Sequence, residues 1–336
     1  MNNSKIRLDY VDCMRGIAIL LVVIGHLIQT NDIYYAHNYA FEFIYSFHMP
    51  LFFAISGYII AKTSKVRTIK ELETFIIKKF LALCIPLFAW ELIMNRFTLH
   101  TSFVSITFSD ITTTILHPNL WFLKTLFVTT VGFGIYDYFV NKLSLFQNVF
   151  IKETSLFIAF LVYVVIIKSG FEQANLLMFS GVFFVGAYIS KYKQIEQIVG
   201  TESVFLLALT IFLVVCTHWR FINNGSRIYD IEKVLVSCSI FICLLTLTKN
   251  FDYTQWYHKL FTKFGRYSLA IYASHWCLLS IGISTICLDK MNYFWQFIIY
   301  GLIGIIICEI CVLVSRVFAY SKLLNFILYG KRFFKI

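Results

Sequence analysis

Long apolar runs recur from one end of this chain to the other, and they restrict its fold more than any other feature. Each run is long enough to cross a hydrocarbon layer about 30 Å thick as a helix. Hydrophobic residues make up 59% of the 336 residues and charged residues only 14%, which leaves little sequence for a soluble core. The runs predict about ten spans, near 14–30, 44–61, 79–94, 121–140, 150–167, 174–190, 203–219, 231–248, 267–286 and 294–318.

The form of these runs favours an all-α, polytopic transmembrane bundle. Continuous apolar runs with short polar connections are typical of membrane helices, whereas a transmembrane barrel has shorter segments of alternating polarity. We expect residues 1–336 to form one integral-membrane domain with no appended soluble domain. With the N-terminus placed in the cytoplasm, most of the 29 Lys and Arg residues fall on the cytoplasmic side of the membrane. The positive-inside rule therefore predicts that both termini are cytoplasmic. The net charge of +11 then reflects basic loops facing anionic membrane lipids, and no nucleic-acid partner is expected.

Arg15 and His26 lie inside the first apolar run, where ionisable side chains are costly and therefore point to function. Eleven residues bring a helix back to nearly the same face, with a rise of roughly 16 Å. One helix therefore presents a guanidinium near one membrane surface and an imidazole deep in the bilayer. An imidazole titrates near neutrality and can take a proton from a hydroxyl, so His26 is the candidate general base.

Three more charged residues are candidates for holding ligands. Asp12 lies one turn before Arg15, where an i,i+3 ion pair would hold the guanidinium; a simple anchoring salt bridge at the helix end is the alternative. Lys78 and Lys79 precede the third span, where they would either reach lipid headgroups or bind ligand phosphates. Lys78 ends a basic loop, 62–78, and Lys79 follows it. This loop would form a short interfacial helix, bind a polyanionic ligand or contact lipid headgroups.

Three side chains, those of His48, Trp121 and His275, are candidate substrate contacts. His48 is placed at a helix start because Pro50 fits the first turn of a helix. Trp121 opens the fourth span, where an interfacial anchor is the alternative. Tyr272 and His275 share a face of the ninth span and form a second polar site within the membrane, unless their role is structural.

The nine cysteines argue against both a disulfide framework and a metal centre. Their number is odd and they lie in or beside apolar runs, without an extracellular cluster. Cys308 and Cys311 form a C-x-x-C pattern, but two thiols inside an apolar helix are more often small packing residues. No metal site is therefore predicted.

Four segments, in this order along the chain, resemble the acyltransferase 3 family. Residues 8–19 with His26 resemble the opening of the family, whose first span carries an Arg/Lys-x10-His motif. The other segments are Phe47-His48-Met49-Pro50-Leu51-Phe52-Phe53 with Ser56-Gly57-Tyr58, Leu120-Trp121-Phe122-Leu123, and Phe264-Gly265-Arg266-Tyr267-Ser268-Leu269 with Tyr272 and His275. The resemblance covers essentially the whole chain.

The resemblance implies a multi-pass cell-membrane enzyme that moves an acyl group, usually acetyl, from cytoplasmic acyl-CoA to a hydroxyl of an extracytoplasmic or lipid-linked glycan. His26 matches the family's proposed catalytic histidine and Arg15 its paired basic residue. Acyl-CoA would be the donor substrate, and no permanently bound cofactor is expected. One departure concerns Lys78 and Lys79, because residues 80–82 lack the further cations that the family often has before the third-span proline.

Two other functions compete with this interpretation. An exporter or flippase of a lipid-linked or polymerised glycan would need a continuous polar pathway, and spans four to eight contain few charges. A membrane scaffold would leave the aligned Arg15 and His26 unexplained. For an enzyme, direct attack of a sugar hydroxyl and an acyl-histidine relay both fit His26. The sequence specifies no oligomeric state.

Overall fold

All regular structure is helical in the part of the chain that the structure describes, as the sequence predicts. The computed structural model describes residues 8–32, 34–63, 66–99, 119–142, 153–155, 157–158, 162, 176–223, 227–280, 288 and 291–330. The α-helices are α1 (Asp9–Asn31), α2 (Tyr39–Tyr45), α3 (His48–Thr63), α4 (Ile69–Lys79), α5 (Ile85–Leu99), α6 (Trp121–Lys142), α7 (Leu176–Lys191), α8 (Lys193–Val199), α9 (Glu202–His218), α10 (Arg227–Lys249), α11 (Trp256–Arg266), α12 (Ser268–Ser280), α13 (Tyr293–Phe318) and α14 (Lys322–Tyr329). Tyr35–His37 and Phe221–Asn223 form 3₁₀ turns, and Phe80–Cys84 forms a π-helical turn.

Several of these helices have the length and composition of membrane spans. Within the described residues, those long and apolar enough are Asp9–Asn31, Tyr39–Thr63, Ile228–Lys249 and Tyr293–Phe318. The pair α8 and α9, bent by 66°, would add a fifth as a broken span. The prediction of ten spans stays a prediction, as does the cytoplasmic placement of both termini, and the predicted span 150–167 lies largely outside the described residues.

Apolar side chains also cover the outside of these helices. Leu207 on α9, Ile231 on α10 and Leu302 on α13 are each about 60% exposed, at 60%, 62% and 59%. A soluble protein rarely exposes apolar side chains along several long helices, because their hydration is unfavourable. Facing lipid removes that penalty, so the surface is that of a multi-pass membrane protein.

The chain divides into two compact units. The first comprises Met1–Ile55 and Tyr192–Val314, and the second comprises Ser56–Lys191 and Ser315–Ile336. Both α3 and α13 contribute residues to each unit.

In the first unit, α1 is the central helix and packs against α2, α10, α11 and α12. Its most extensive contact is with α11, and glycines make that contact possible. A Cβ atom on Gly16 would lie 1.8 Å from the carbonyl oxygen of Phe261, and one on Gly265 would lie 1.6 Å from that of Asp12. The two backbones therefore touch directly, as small residues allow between membrane helices.

In the second unit, α4 forms within the predicted basic loop 62–78. The Thr68 side chain accepts from the backbone N–H of Glu71, and the Glu71 carboxylate accepts from the backbone N–H of Thr68, which is a capping box. The helix continues through the π turn into α5, where Pro86 has no N–H to donate to the preceding turn. The short helix expected in this loop is thus present, and its place at a membrane interface stays a prediction.

Candidate functional site

His26 lies near the end of α1 in the first unit, half-buried among aromatic rings from two other helices. The centroid of its imidazole is 4.6 Å from the Trp276 ring and 5.2 Å from the His275 ring, both on α12. The Tyr45 ring of α2 lies 6.3 Å away, edge to face. The sequence predicted His26 and His275 as functional residues, and the fold brings them together.

Polar contacts link His26 to α2. The Nδ1 atom of His26 is 3.3 Å from the Oε1 atom of Gln29, one turn further along α1. The hydroxyl of Tyr45 donates to the same oxygen over 2.8 Å. Tyr45 in turn stacks on Phe41, with the ring centroids 3.8 Å apart.

His275 and His48 each have one ring nitrogen occupied by the backbone. Nδ1 of His275 is 2.9 Å from the carbonyl oxygens of both Ile271 and Tyr272. Because a carbonyl only accepts, this nitrogen donates, and Nε2 keeps a bare lone pair. That Nε2 is buried and has no partner among the residues that the structure describes. His48, the first residue of α3 as predicted, has its Nδ1 2.9 Å from the carbonyl of Ile44.

These residues form what we call the imidazole cluster: His26, Gln29, Tyr45, His48, His275 and Trp276. The His48 ring lies 4.5 Å from that of Tyr45, which connects it to the rest of the cluster. Three histidines near one another raise the question of a metal. No group of three or more His, Cys, Asp or Glu side chains in the described ranges is placed to hold one.

A buried cation adjoins the cluster. Lys233 of α10 is 7% exposed, and its ammonium lies 5.2 Å from the Trp219 ring centroid. It interacts electrostatically with both His48 and Asp230. Lys233 thus makes this end of the first unit more polar than an apolar span suggests.

The opposite end of α1 is charged. Asp12 is 6% exposed, and its Oδ2 atom lies 3.5 Å from Nε of Arg266 on α11. The same guanidinium donates to Asp9 over 2.8 Å. Asp12 is therefore tied to a second helix, which the sequence did not predict, while its predicted ion pair with Arg15 stays a prediction. Arg15 is half-buried one turn further along α1.

The other predicted site residues lie in the second unit. Lys78 and Lys79 end α4, and the Lys79 ammonium is 5.4 Å from the Phe75 ring centroid. Trp121 begins α6, with its ring 5.3 Å from that of Phe179. Their roles in binding phosphates and substrate stay predictions.

Sequence reasoning missed Gln29, Tyr45, Trp276, Lys233 and Arg266. Gln29 had a usable signal, because it follows His26 by three residues and so shares its helix face. The other four come from separate helices. No local spacing relates them to α1, so only the packed structure assigns them.

Comparison with known proteins finds one matching family model and two partial relatives. A family model described as "Acyltransferase domain" matches residues 8–313, nearly the whole chain. Nodulation protein NolL of Sinorhizobium fredii is 40% identical over 98 residues, which are 26% of this chain and 24% of that protein. Nodulation protein NolL of Mesorhizobium japonicum is 30% identical over 155 residues, 43% of this chain and 39% of that protein. The chain therefore matches less than half the length of either relative. No solved structure matches.

Proposed function

The chain belongs to the acyltransferase 3 family, and from that premise we propose that it is a membrane O-acyltransferase, with acetyl as the expected group. The donor is cytoplasmic acyl-CoA, and the acceptor is a hydroxyl of an extracytoplasmic or lipid-linked glycan. Both termini lie in the cytoplasm, and the protein resides in the cell membrane. The observation that carries the proposal is the half-buried His26 on a membrane helix, surrounded by His275, Trp276 and Tyr45.

His26 acts as the general base in this proposal. It takes the proton from the acceptor hydroxyl while the oxygen attacks the thioester carbonyl carbon. The new C–O bond forms, the C–S bond breaks, and the proton passes from the imidazolium to the leaving CoA thiolate. The protein thereby returns to its starting state, and no redox partner or metal ion takes part in any step.

The neighbours of His26 supply contacts for the two substrates. Trp276 presents an aromatic ring, which suits the C–H face of a sugar ring. The bare Nε2 of His275 can accept a hydrogen bond from a substrate O–H or N–H. His48 and Trp121 are further sugar contacts in this proposal.

Arg15 serves the donor. It lies on α1 roughly 16 Å along the axis from His26, so it can hold the anionic end of acyl-CoA while the flexible arm reaches the imidazole. Asp12 helps to position this guanidinium. Lys78 and Lys79 bind phosphates in this proposal.

The test measures transfer from radiolabelled acetyl-CoA to a cell-envelope glycan extract by the protein purified in lipid. We expect His26→Ala to lower kcat by about 10²- to 10⁴-fold, the usual contribution of a general base. Arg15→Ala should instead raise the KM for acetyl-CoA by about tenfold with a smaller effect on kcat, because it removes binding rather than proton transfer.

His218→Ala is the matched control. This histidine is in the same unit, but it is largely exposed and pairs with Glu232 at 2.8 Å, so transfer should be unchanged. Undiminished transfer by the folded His26→Ala protein would overturn the mechanism. No transfer by the folded wild type with a broad acceptor panel would favour the glycan exporter instead.

A further inference from the structure

The tautomer of His26 follows from its hydrogen-bond partner. A general base needs a ring nitrogen with a free lone pair, and a neutral imidazole has only one. Nδ1 of His26 faces Oε1 of Gln29 at 3.3 Å. An amide oxygen carries no proton, so Nδ1 donates and holds the ring proton. Nε2 is therefore the basic nitrogen.

This assignment depends on which end of the Gln29 amide faces the imidazole. A rotation of the amide by half a turn would bring its NH₂ group to His26, and Nδ1 would then become the acceptor. In the observed orientation the Tyr45 O–H donates to the amide oxygen over 2.8 Å. After the rotation the hydroxyl would accept from the NH₂ group and its own proton would lose this acceptor, so Tyr45 favours the observed orientation. The oxygen accepts from Tyr45 and His26 together.

Tyr45 is itself held in place from two sides. Its ring stacks on Phe41 of its own helix. It also lies against α1 at Gly25, where an added Cβ would be only 3.0 Å from the Tyr45 Cε2 atom. The absence of a side chain at the residue before His26 is what lets the Tyr45 ring lie close to α1.

From these contacts we propose that Gln29 and Tyr45 are positioning residues for His26: the Tyr45 O–H orients the Gln29 amide, whose oxygen keeps the proton on Nδ1 and leaves Nε2 as the base. The proposal rests on the proposed acyltransferase function. A neutral amide sets the tautomer without placing a carboxylate in an apolar surrounding, where an anion is costly. It also stabilises the imidazolium less than a carboxylate would, which favours return of the proton to the thiolate.

Variants of Gln29 test the amide. Gln29→Leu removes the acceptor, and we expect kcat to fall by about 10- to 100-fold, part of the contribution of general base catalysis, with the KM for acetyl-CoA unchanged. Gln29→Glu keeps an acceptor. Its carboxylate stabilises the imidazolium, so the acid limb of the pH–rate profile should move to higher pH while activity at alkaline pH is retained.

Thr30→Ala is the matched control on the same turn. The Thr30 hydroxyl donates to the backbone carbonyls of His26 over 2.9 Å and Leu27 over 3.2 Å rather than to an imidazole nitrogen. This variant should keep the wild-type kcat and pH profile. Gln29→Leu with the wild-type kcat, or Gln29→Glu with an unshifted acid limb, would overturn the proposal.

A double-mutant cycle tests whether Tyr45 acts through Gln29. Tyr45→Phe removes only the hydroxyl, and in the wild-type background we expect kcat to fall less than in Gln29→Leu. In the Gln29→Leu background the same change should have no further effect, because the group it orients is gone. Independent, multiplying effects would contradict the proposed order.

A readout without catalysis separates this inference from the proposed function. Nitrogen-15 NMR of histidine-labelled protein in lipid, with His26→Ala to assign the signal, reports which ring nitrogen is protonated. We expect protonated Nδ1 in the wild type and loss of that preference in Gln29→Leu. A wild-type His26 protonated at Nε2 would overturn the inference. Transfer that survives in His26→Ala would overturn only the proposed function.

Discussion

At the Asp9 end of α1, two carboxylates face the Arg266 guanidinium, whereas at the His26 end an amide, a phenol and an indole surround an imidazole. Ions are stabilised where water or a membrane surface is near, and they are costly within an apolar surrounding. The direct contacts of α1 thus differ between its two ends: ion pairs at the Asp9 end, and hydrogen bonds and aromatic rings at His26, with the buried Lys233 beyond them.

The same two ends also differ in how they pack. At the charged end, Gly16 and Gly265 bring the backbones of α1 and α11 into direct contact. At the imidazole end, the described atoms nearest to a Cβ on Gly25 belong to the side chains of Tyr45 and Ile44. Backbone contacts cannot yield without moving a helix, whereas side chains can change rotamer. The charged end therefore anchors α1, and the contacts at Gly25 stay adjustable, as the proposed substrate site at His26 requires.

The largest expected effect comes from breaking the anchor. Gly265→Ala places a methyl group where a Cβ would lie 1.6 Å from the carbonyl oxygen of Asp12, so the two helices must separate. Overpacking usually costs about 1–3 kcal/mol of stability, and we expect a loss at or above the upper end of this range, with a poor yield of folded protein. Thermal unfolding of the protein purified in lipid measures this loss.

Two other glycines serve as comparisons. In Gly25→Ala the new methyl group would meet the Tyr45 ring at 3.0 Å and Ile44 at 3.2 Å, both of which can shift, so the loss should be smaller. Gly301→Ala meets nothing within 4 Å among the residues that the structure describes, and it should be neutral or stabilising by up to about 1 kcal/mol, as expected for Ala in a helix. A loss for Gly265→Ala no larger than that for Gly25→Ala would contradict the contrast between the two ends.

Features encoded within one helix could be predicted from the sequence. Arg15 and His26 were placed on one helix because apolar periodicity and an 11-residue spacing are local properties, and α1 indeed runs from Asp9 to Asn31. The same holds for the helical start at His48, which Pro50 favours by its fixed φ. Local rules of this kind gave the helical class and half of the imidazole cluster.

Features that arise from packing could not be predicted. The i,i+3 rule predicts Arg15 as a partner of Asp12, and no local rule adds Arg266, which reaches Asp12 from α11, whose register against α1 is set by glycine contacts distant in sequence. Tyr45 and Trp276 reach His26 in the same way, from α2 and α12. A spacing rule relates residues within one helix, so it cannot identify a partner on another helix.

A second prediction concerns the charges at the anchored end. Asp12→Asn and Arg266→Gln, taken singly and together, should give a coupling energy of up to about 1 kcal/mol, because the Arg266 side chain is 42% exposed and partly screened by solvent. Added salt should reduce this coupling. The cycle is measured by thermal unfolding at low and high salt.

The matching cycle at the other end sharpens the contrast. Tyr45→Phe with Gln29→Leu removes a hydrogen bond between neutral groups, so its coupling in stability should not respond to salt. Equal salt dependence in the two cycles would show that the ends do not differ in electrostatic character.

The smallest expected effect is on the turn that leads into α11. The backbone N–H of Thr254, and then its hydroxyl and the Gln255 amide, donate to the Asp252 carboxylate and lower the pKa of Asp252 below its ordinary value of 3.8. A lowered pKa means that the carboxylate stabilises the folded turn fully above that ordinary value and loses this effect as the pH falls through the lower, folded value.

We therefore expect the amides at the start of α11 to lose hydrogen-exchange protection in acid. Asp252→Asn cannot titrate, so its protection factors should show no such loss, and an identical acid response in both proteins would exclude Asp252 as the cause. Either result separates titration of this turn from the glycine contacts that anchor α11, which contain no titratable group.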